Sequence, residues 1–233
     1  MSSNKNKIYW FSIIPATILI AMHVLCFKVS IPLSERFAIV HYVPKIPAID
    51  DLIPVIPAGF IVIYIGAYIF WWLCPVFNSM ANRSRYADYV IGFAVAYIVG
   101  GLWLSLFPAT MDRVAEGLYS NVGTDIFSKM HQWFITEMDT GEMAHGLLPS
   151  FHTMSSIFCY LGVAKCKEIP KGLRIFILIY ALGVVASTLF LKQHYVMDAI
   201  SGTTLAVVCY TLSRKFHWGR IIEPVFAKFD GQN

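Results

Sequence analysis

Long apolar runs broken by short polar segments dominate this chain. Six runs stand out, at 8–28, 55–77, 87–107, 147–165, 173–191 and 195–213. Each is near the ~20 residues that a helix needs to cross the hydrocarbon of a bilayer. Pro15, Gly66, Gly100 and Gly101 lie inside them, as lipid-embedded helices tolerate. The first run follows Lys5 and Lys7 in the manner of a signal peptide. Its apolar part is long and no small-x-small cleavage site follows, so a retained helix is expected. The pattern changes over 108–146, the longest connection. There Ile126, Phe127, Met130, Trp133, Phe134 and Met138 recur at helical spacing, with Lys129, Gln132 and Glu137 between them. This predicts an amphipathic helix, either lying on the membrane surface or packed over the bundle mouth. The fold class expected is an all-α integral membrane protein: a six-transmembrane-helix bundle with an outer-face amphipathic helix, in one domain over 1–233.

Composition agrees. Of 233 residues, 57% are hydrophobic and 14% charged, with a mean hydropathy of +0.61, which excludes an ordinary soluble domain. Charge supplies an orientation. With the N-terminus inside, the inner segments hold Lys5, Lys7, Arg83, Arg85, Lys165, Lys167, Lys171, Arg174, Arg214, Lys215, Arg220 and Lys228. The outer ones hold only Lys28, Arg36, Lys45, Arg113, Lys129 and Lys192. The positive-inside rule then puts both termini in the cytoplasm, in a multi-pass protein expected in the plasma membrane. The net charge of +4 is dispersed over short loops, so no nucleic-acid partner is expected. Cys26, Cys74, Cys159, Cys166 and Cys209 fall in or beside apolar runs without metal spacing and read as small core residues.

Ionisable residues at the edge of hydrocarbon are costly and tend to be functional. Residues 187–198 concentrate them: Lys192, His194 and Asp198 stand between the fifth and sixth runs. On a helix starting near His194, Asp198 shares its face. The carboxylate can then orient one imidazole nitrogen and leave the other as base or nucleophile. The orientation above places this stretch on the outer face.

Two further clusters reach that face. Pro149-Ser150-Phe151-His152 opens the fourth run, and a helix N-terminus with a hydroxyl donor suits a phosphate. Arg113 follows the outer end of the third run and can hold phosphate oxygens with its planar fork. Two histidines, an aspartate, a serine, an arginine and a lysine fit phosphoryl transfer through a phosphohistidine, with no metal or other cofactor expected. Among the remaining histidines, His23 reads as a packing residue of the first run and His145 as a surface residue near the site. His41, His131 and His217 read as loop residues.

At these positions the chain resembles the type 2 phosphatidic acid phosphatase family. That family carries three signatures: Lys, six residues, then Arg-Pro; Pro-Ser-x-His; and Ser-Arg, five residues, His, three residues, Asp. The second is present as Pro149-Ser150-Phe151-His152, and the third has Ser187, His194 and Asp198 at the family spacing. Three positions depart: Leu106 replaces the lysine, Val114 the proline and Thr188 the arginine. Lys192 is the residue expected to replace one missing cation. A branch of the superfamily that includes inositol phosphorylceramide synthases has a similar Ser-Thr and Gln-His-Tyr run.

The resemblance implies that His194 attacks a lipid phosphate, Asp198 orients it and His152 protonates the leaving oxygen. Ser150, Arg113, Lys192 and Ser187 are then the candidate phosphate-binding residues. The expected partners are a lipid phosphate substrate and the bilayer. The expected activity is hydrolysis of a lipid phosphomonoester or pyrophosphate. Two alternatives are transfer of a phospho-headgroup to a lipid alcohol, and a non-catalytic lipid transporter or scaffold. Two catalytic histidines predict a bell-shaped pH profile.

Overall fold

The computed structural model describes residues 8–37, 39–119, 123–139 and 143–229; Lys5 and Lys7 lie outside them. The long helices are α1 (Ile13–Arg36), α3 (Phe60–Asn78), α4 (Arg83–Leu106), α6 (Phe151–Ala164), α7 (Lys171–Phe190) and α8 (Val196–Phe216). Four shorter elements matter for the site. They are α2 (Pro47–Asp50), α5 (Ile126–Trp133) running into a π-helical turn Phe134–Met138, and strands β1 (Thr110–Asp112) and β2 (Met143–His145).

Local chemistry sets the helix ends. Asn82 caps α4, its Oδ1 accepting the Arg85 N–H at 2.9 Å. Such a cap satisfies one of the four donors that a helix start leaves open. Pro170 precedes α7, and α8 stops where His217 turns left-handed. Among the described residues, five helices are long and apolar enough to cross a membrane, α6 being the shorter apolar one. Within the expected fourth span at 147–165 the helix is shorter, with 14 residues, about 21 Å at ~1.5 Å per residue. Residues 147–150 are not helical, and Ser150 is the N-cap. This short helix does not need a lipid-facing length, because it is the centre of the bundle. Phe151, Met154, Ser155, Phe158, Cys159 and Gly162 are all buried against α3, α4, α7 and α8. The first span also differs, since α1 continues through Lys28 to Arg36.

Helices α1 and α4 pack side by side, α4 and α6 both pack on α8, and α7 closes on α3 and α6. The core is aromatic: Phe93 stacks on Phe158 with centroids 4.5 Å apart and on Tyr97 at 4.9 Å. Small residues let the helices approach. A Cβ at Gly162 would meet the Asn78 side chain at 2.0 Å.

Connectivity gathers the ends of α1, α4 and α7 with the starts of α3, α6 and α8 at one end of the bundle. Helix α5 and its π turn cover this end. Phe134 and Ile135 are buried with Ile61, Tyr64 and Leu191, while Ile126, Trp133 and Met138 stay exposed. The predicted amphipathic helix is thus present and packed over the bundle mouth. Strands β1 and β2 pair antiparallel, Thr110 opposite His145, beside it. The other end is clasped by Asp88. Its carboxylate meets Arg214 at 2.7 Å and the Gly219 N–H at 2.9 Å. That clasp holds the C-terminal hook, where α9 (Glu223–Phe229) buries Phe226.

Candidate active site

The 187–198 stretch folds as a tight turn between α7 and α8. The Thr188 carbonyl accepts two N–H groups, from Gln193 at 2.9 Å and His194 at 3.1 Å, and Lys192 takes a left-handed φ of 50°. The turn is fastened from outside by Asp50 at the end of α2. One Asp50 carboxylate oxygen accepts the Val196 N–H at 2.9 Å and the other the Ile46 N–H at 2.7 Å. The Lys192 ammonium donates to the Asp50 backbone carbonyl. Tyr195 extends the fastening, donating its hydroxyl to Glu116 at 2.9 Å, and Glu116 accepts from Lys45 at 2.7 Å.

Within this frame Asp198 is wholly buried, and one of its oxygens accepts the Tyr195 N–H at 2.8 Å. The same oxygen lies 3.4 Å from His194 Nδ1. That is charge-pair distance without the alignment of a hydrogen bond, a looseness common in catalytic pairs before substrate arrives. It turns Nδ1 to the carboxylate and leaves Nε2, across the ring, as the atom available to a substrate.

The start of α6 is joined directly to this turn. The Ser150 N–H donates to the Asp198 carbonyl at 3.1 Å. A Cβ on Gly202 would lie 2.4 Å from the Ser150 carbonyl oxygen, so only glycine lets α8 come this close. Ser150 Oγ caps α6 by accepting the Thr153 N–H at 3.2 Å. The approach sets the His152 and His194 rings 5.8 Å apart. His152 stacks on Tyr64 at 4.4 Å, with Trp71 edge-on at 5.0 Å, and neither of its ring nitrogens has a hydrogen-bond partner in the protein. A buried imidazole with both nitrogens unsatisfied by protein is open to a partner from water or a ligand.

Both histidines line a cavity of about 410 Å³. Its wall also holds Gln193, His23, Tyr64, Tyr68, Asp139, His145 and Lys28. At its rim, burial and the neighbouring His41 hold the His145 imidazole below its usual range. Ser150, Asp198, Ser187, Arg113 and Lys192 are not among the lining residues. Ser187 donates to the Val184 carbonyl at 2.7 Å within α7. Arg113 is buried and donates to the Asp139 carboxylate and backbone carbonyl. Among the described residues no three His, Cys, Asp or Glu side chains cluster as a metal site would need.

The spacing of Pro149 to His152 and of Ser187 to Asp198 therefore corresponds to one continuous piece of structure, and this is the region where family membership can be read. A family model of the PAP2 superfamily matches residues 30–212. The chain belongs to the PAP2 superfamily. The matched segment of this PAP2 chain takes in Ser150, His152, His194 and Asp198, while His23 precedes it on α1. No curated protein and no solved structure matches the chain.

Several residues of the site escape sequence reasoning. Asp50 and Glu116 act through contacts with residues more than 70 positions away, which no local pattern reveals. Asp139 has no motif of its own. His23 carried a readable signal, an ionisable residue within an apolar span.

Proposed function

We propose that this PAP2 protein is a membrane phosphatase acting on a lipid phosphomonoester or pyrophosphate through a phosphohistidine. The observation that carries this reading is the pair of rings 5.8 Å apart on one cavity, His194 backed by Asp198 and His152 without a protein partner. In the reaction, His194 Nε2 attacks phosphorus, the N–P bond forms and the ester P–O bond breaks. His152 delivers a proton to the leaving alkoxide. Water, deprotonated by the now neutral His152, then attacks phosphorus, the N–P bond breaks and phosphate leaves. Asp198 holds the His194 ring and offsets the positive charge that develops on it. The Ser150 end of α6 binds the phosphoryl oxygens, and Arg113 holds Asp139 at the cavity wall. In keeping with the distribution of lysine and arginine, the site faces outward and both termini are cytoplasmic.

Purified protein should release phosphate from phosphatidic acid or a polyprenyl pyrophosphate without added metal. His194→Ala should abolish release, and His152→Asn should lower kcat by about 10²–10⁴-fold. Persistence of turnover in the His194 variant would sink the mechanism. A second reading is transfer to a lipid alcohol, favoured by Thr188, whose hydroxyl bonds to the Val185 carbonyl at 2.8 Å where the phosphatases carry arginine. Radiolabelled donor lipid offered with candidate alcohols separates the two, since label entering a new lipid means transfer.

A further inference from the structure

We infer that Lys28 of α1 is the cation that binds the substrate phosphate in this site. The inference rests on the phosphoryl-transfer reading above. A phosphate brought beside His194 needs a compensating charge, because like charges or bare desolvation would otherwise oppose it. The three cations that motif spacing could suggest are committed elsewhere or absent. Arg113 is bound to the Asp139 carboxylate, Lys192 donates to the Asp50 carbonyl, and position 188 is threonine. Lys28 alone among the cavity-lining residues is a lysine or arginine.

The helix itself aims it there. Val24, Phe27, Lys28 and Ile31 follow the spacing of one helical stripe, and all four line the cavity. Phe27 is held against the loop before α6, since a Cβ at Gly146 would lie 2.7 Å from its ring, which fixes the rotation of α1 at this level. Among the described residues no acidic side chain pairs with Lys28. Asp139, the only acid of the wall among the described residues, is paired with Arg113. A lysine is a compact charge on a flexible stem, suited to a phosphate that changes geometry during transfer.

The experiment measures binding of dioctanoyl phosphatidic acid and of uncharged dioctanoylglycerol to purified protein in detergent. Wild type, Lys28→Met, Lys28→Arg, Arg36→Gln and His194→Ala are compared, and turnover is measured alongside. Lys28→Met should raise the Kd for the phosphatidic acid about tenfold or more and leave that for dioctanoylglycerol unchanged. Lys28→Arg should stay within about threefold of wild type, and Arg36→Gln, a nearby surface charge on the same helix, should have no effect. A Kd for phosphatidic acid unchanged in Lys28→Met, or raised equally for both ligands, overturns the inference, as does a wild type that does not distinguish the two. Turnover surviving in His194→Ala overturns the phosphohistidine reading instead and leaves the binding comparison standing.

Discussion

At Gly202 a single hydrogen atom in place of a side chain decides whether the His152 and His194 rings meet. Alanine there would set its Cβ 2.4 Å from a backbone oxygen, an atom that cannot swing aside as a side chain can. Gly202→Ala should therefore cost about 1–3 kcal/mol in thermal unfolding. It should also lower kcat, because relief of the clash pulls Ser150 from the Asp198 segment. Glycine is also present at 92 and 162, where side chains would be the obstacle, so Gly202 is the sharper test. That His152, His194 and Asp198 come together could be read from spacing alone, because they lie in short motifs. The roles of Lys192 and Arg113 could not. A lysine beside a histidine suggests a phosphate ligand, yet what it meets depends on where Asp50 returns in space.

Elements show the same division. The spans expected at 55–77, 87–107, 173–191 and 195–213 correspond closely to α3, α4, α7 and α8, since length and apolarity alone specify a membrane helix. The fourth run is longer than its helix, because residues 147–150 lead into α6 as a loop, and most of the helix is buried inside the protein. Strands β1 and β2 have three residues each, too few to leave a periodic trace, yet they tie the chain beyond α4 to the approach to α6. Helix α2 is equally brief and equally consequential. Asp50→Ala removes the acceptor of two N–H groups, one at the start of α8, and should lower stability by about 1–2 kcal/mol. Turnover should fall further than the unfolded fraction explains, as the His194 turn loses its fastening. Asp50→Asn, which keeps one acceptor oxygen, should recover part of both.

Across the whole molecule, the end that holds the histidine cavity and the Asp88 clasp are separate. Asp88 is buried and holds Arg214, Gly219 and the Ser213 hydroxyl, all at the far end of α4 and α8. Asp88→Ala leaves a half-exposed arginine and a buried N–H without partners, and should cost about 2–4 kcal/mol. Its KM for a lipid phosphate should match wild type, since distant sites act independently. A changed KM in a folded Asp88 variant would show that the two ends are coupled. Helix α1 carries a different consequence. His23 lies beside His152, with ring centroids 6.0 Å apart, and α1 then rises about 20 Å further to Arg36 at ~1.5 Å per residue. On the phosphatase reading proposed above, the reacting phosphorus then lies well below the tip of this one helix. A substrate has to lower its phosphate past that helix, so the group beyond the phosphate has to be narrow, and lipids with bulky sugar headgroups should be turned away by depth alone.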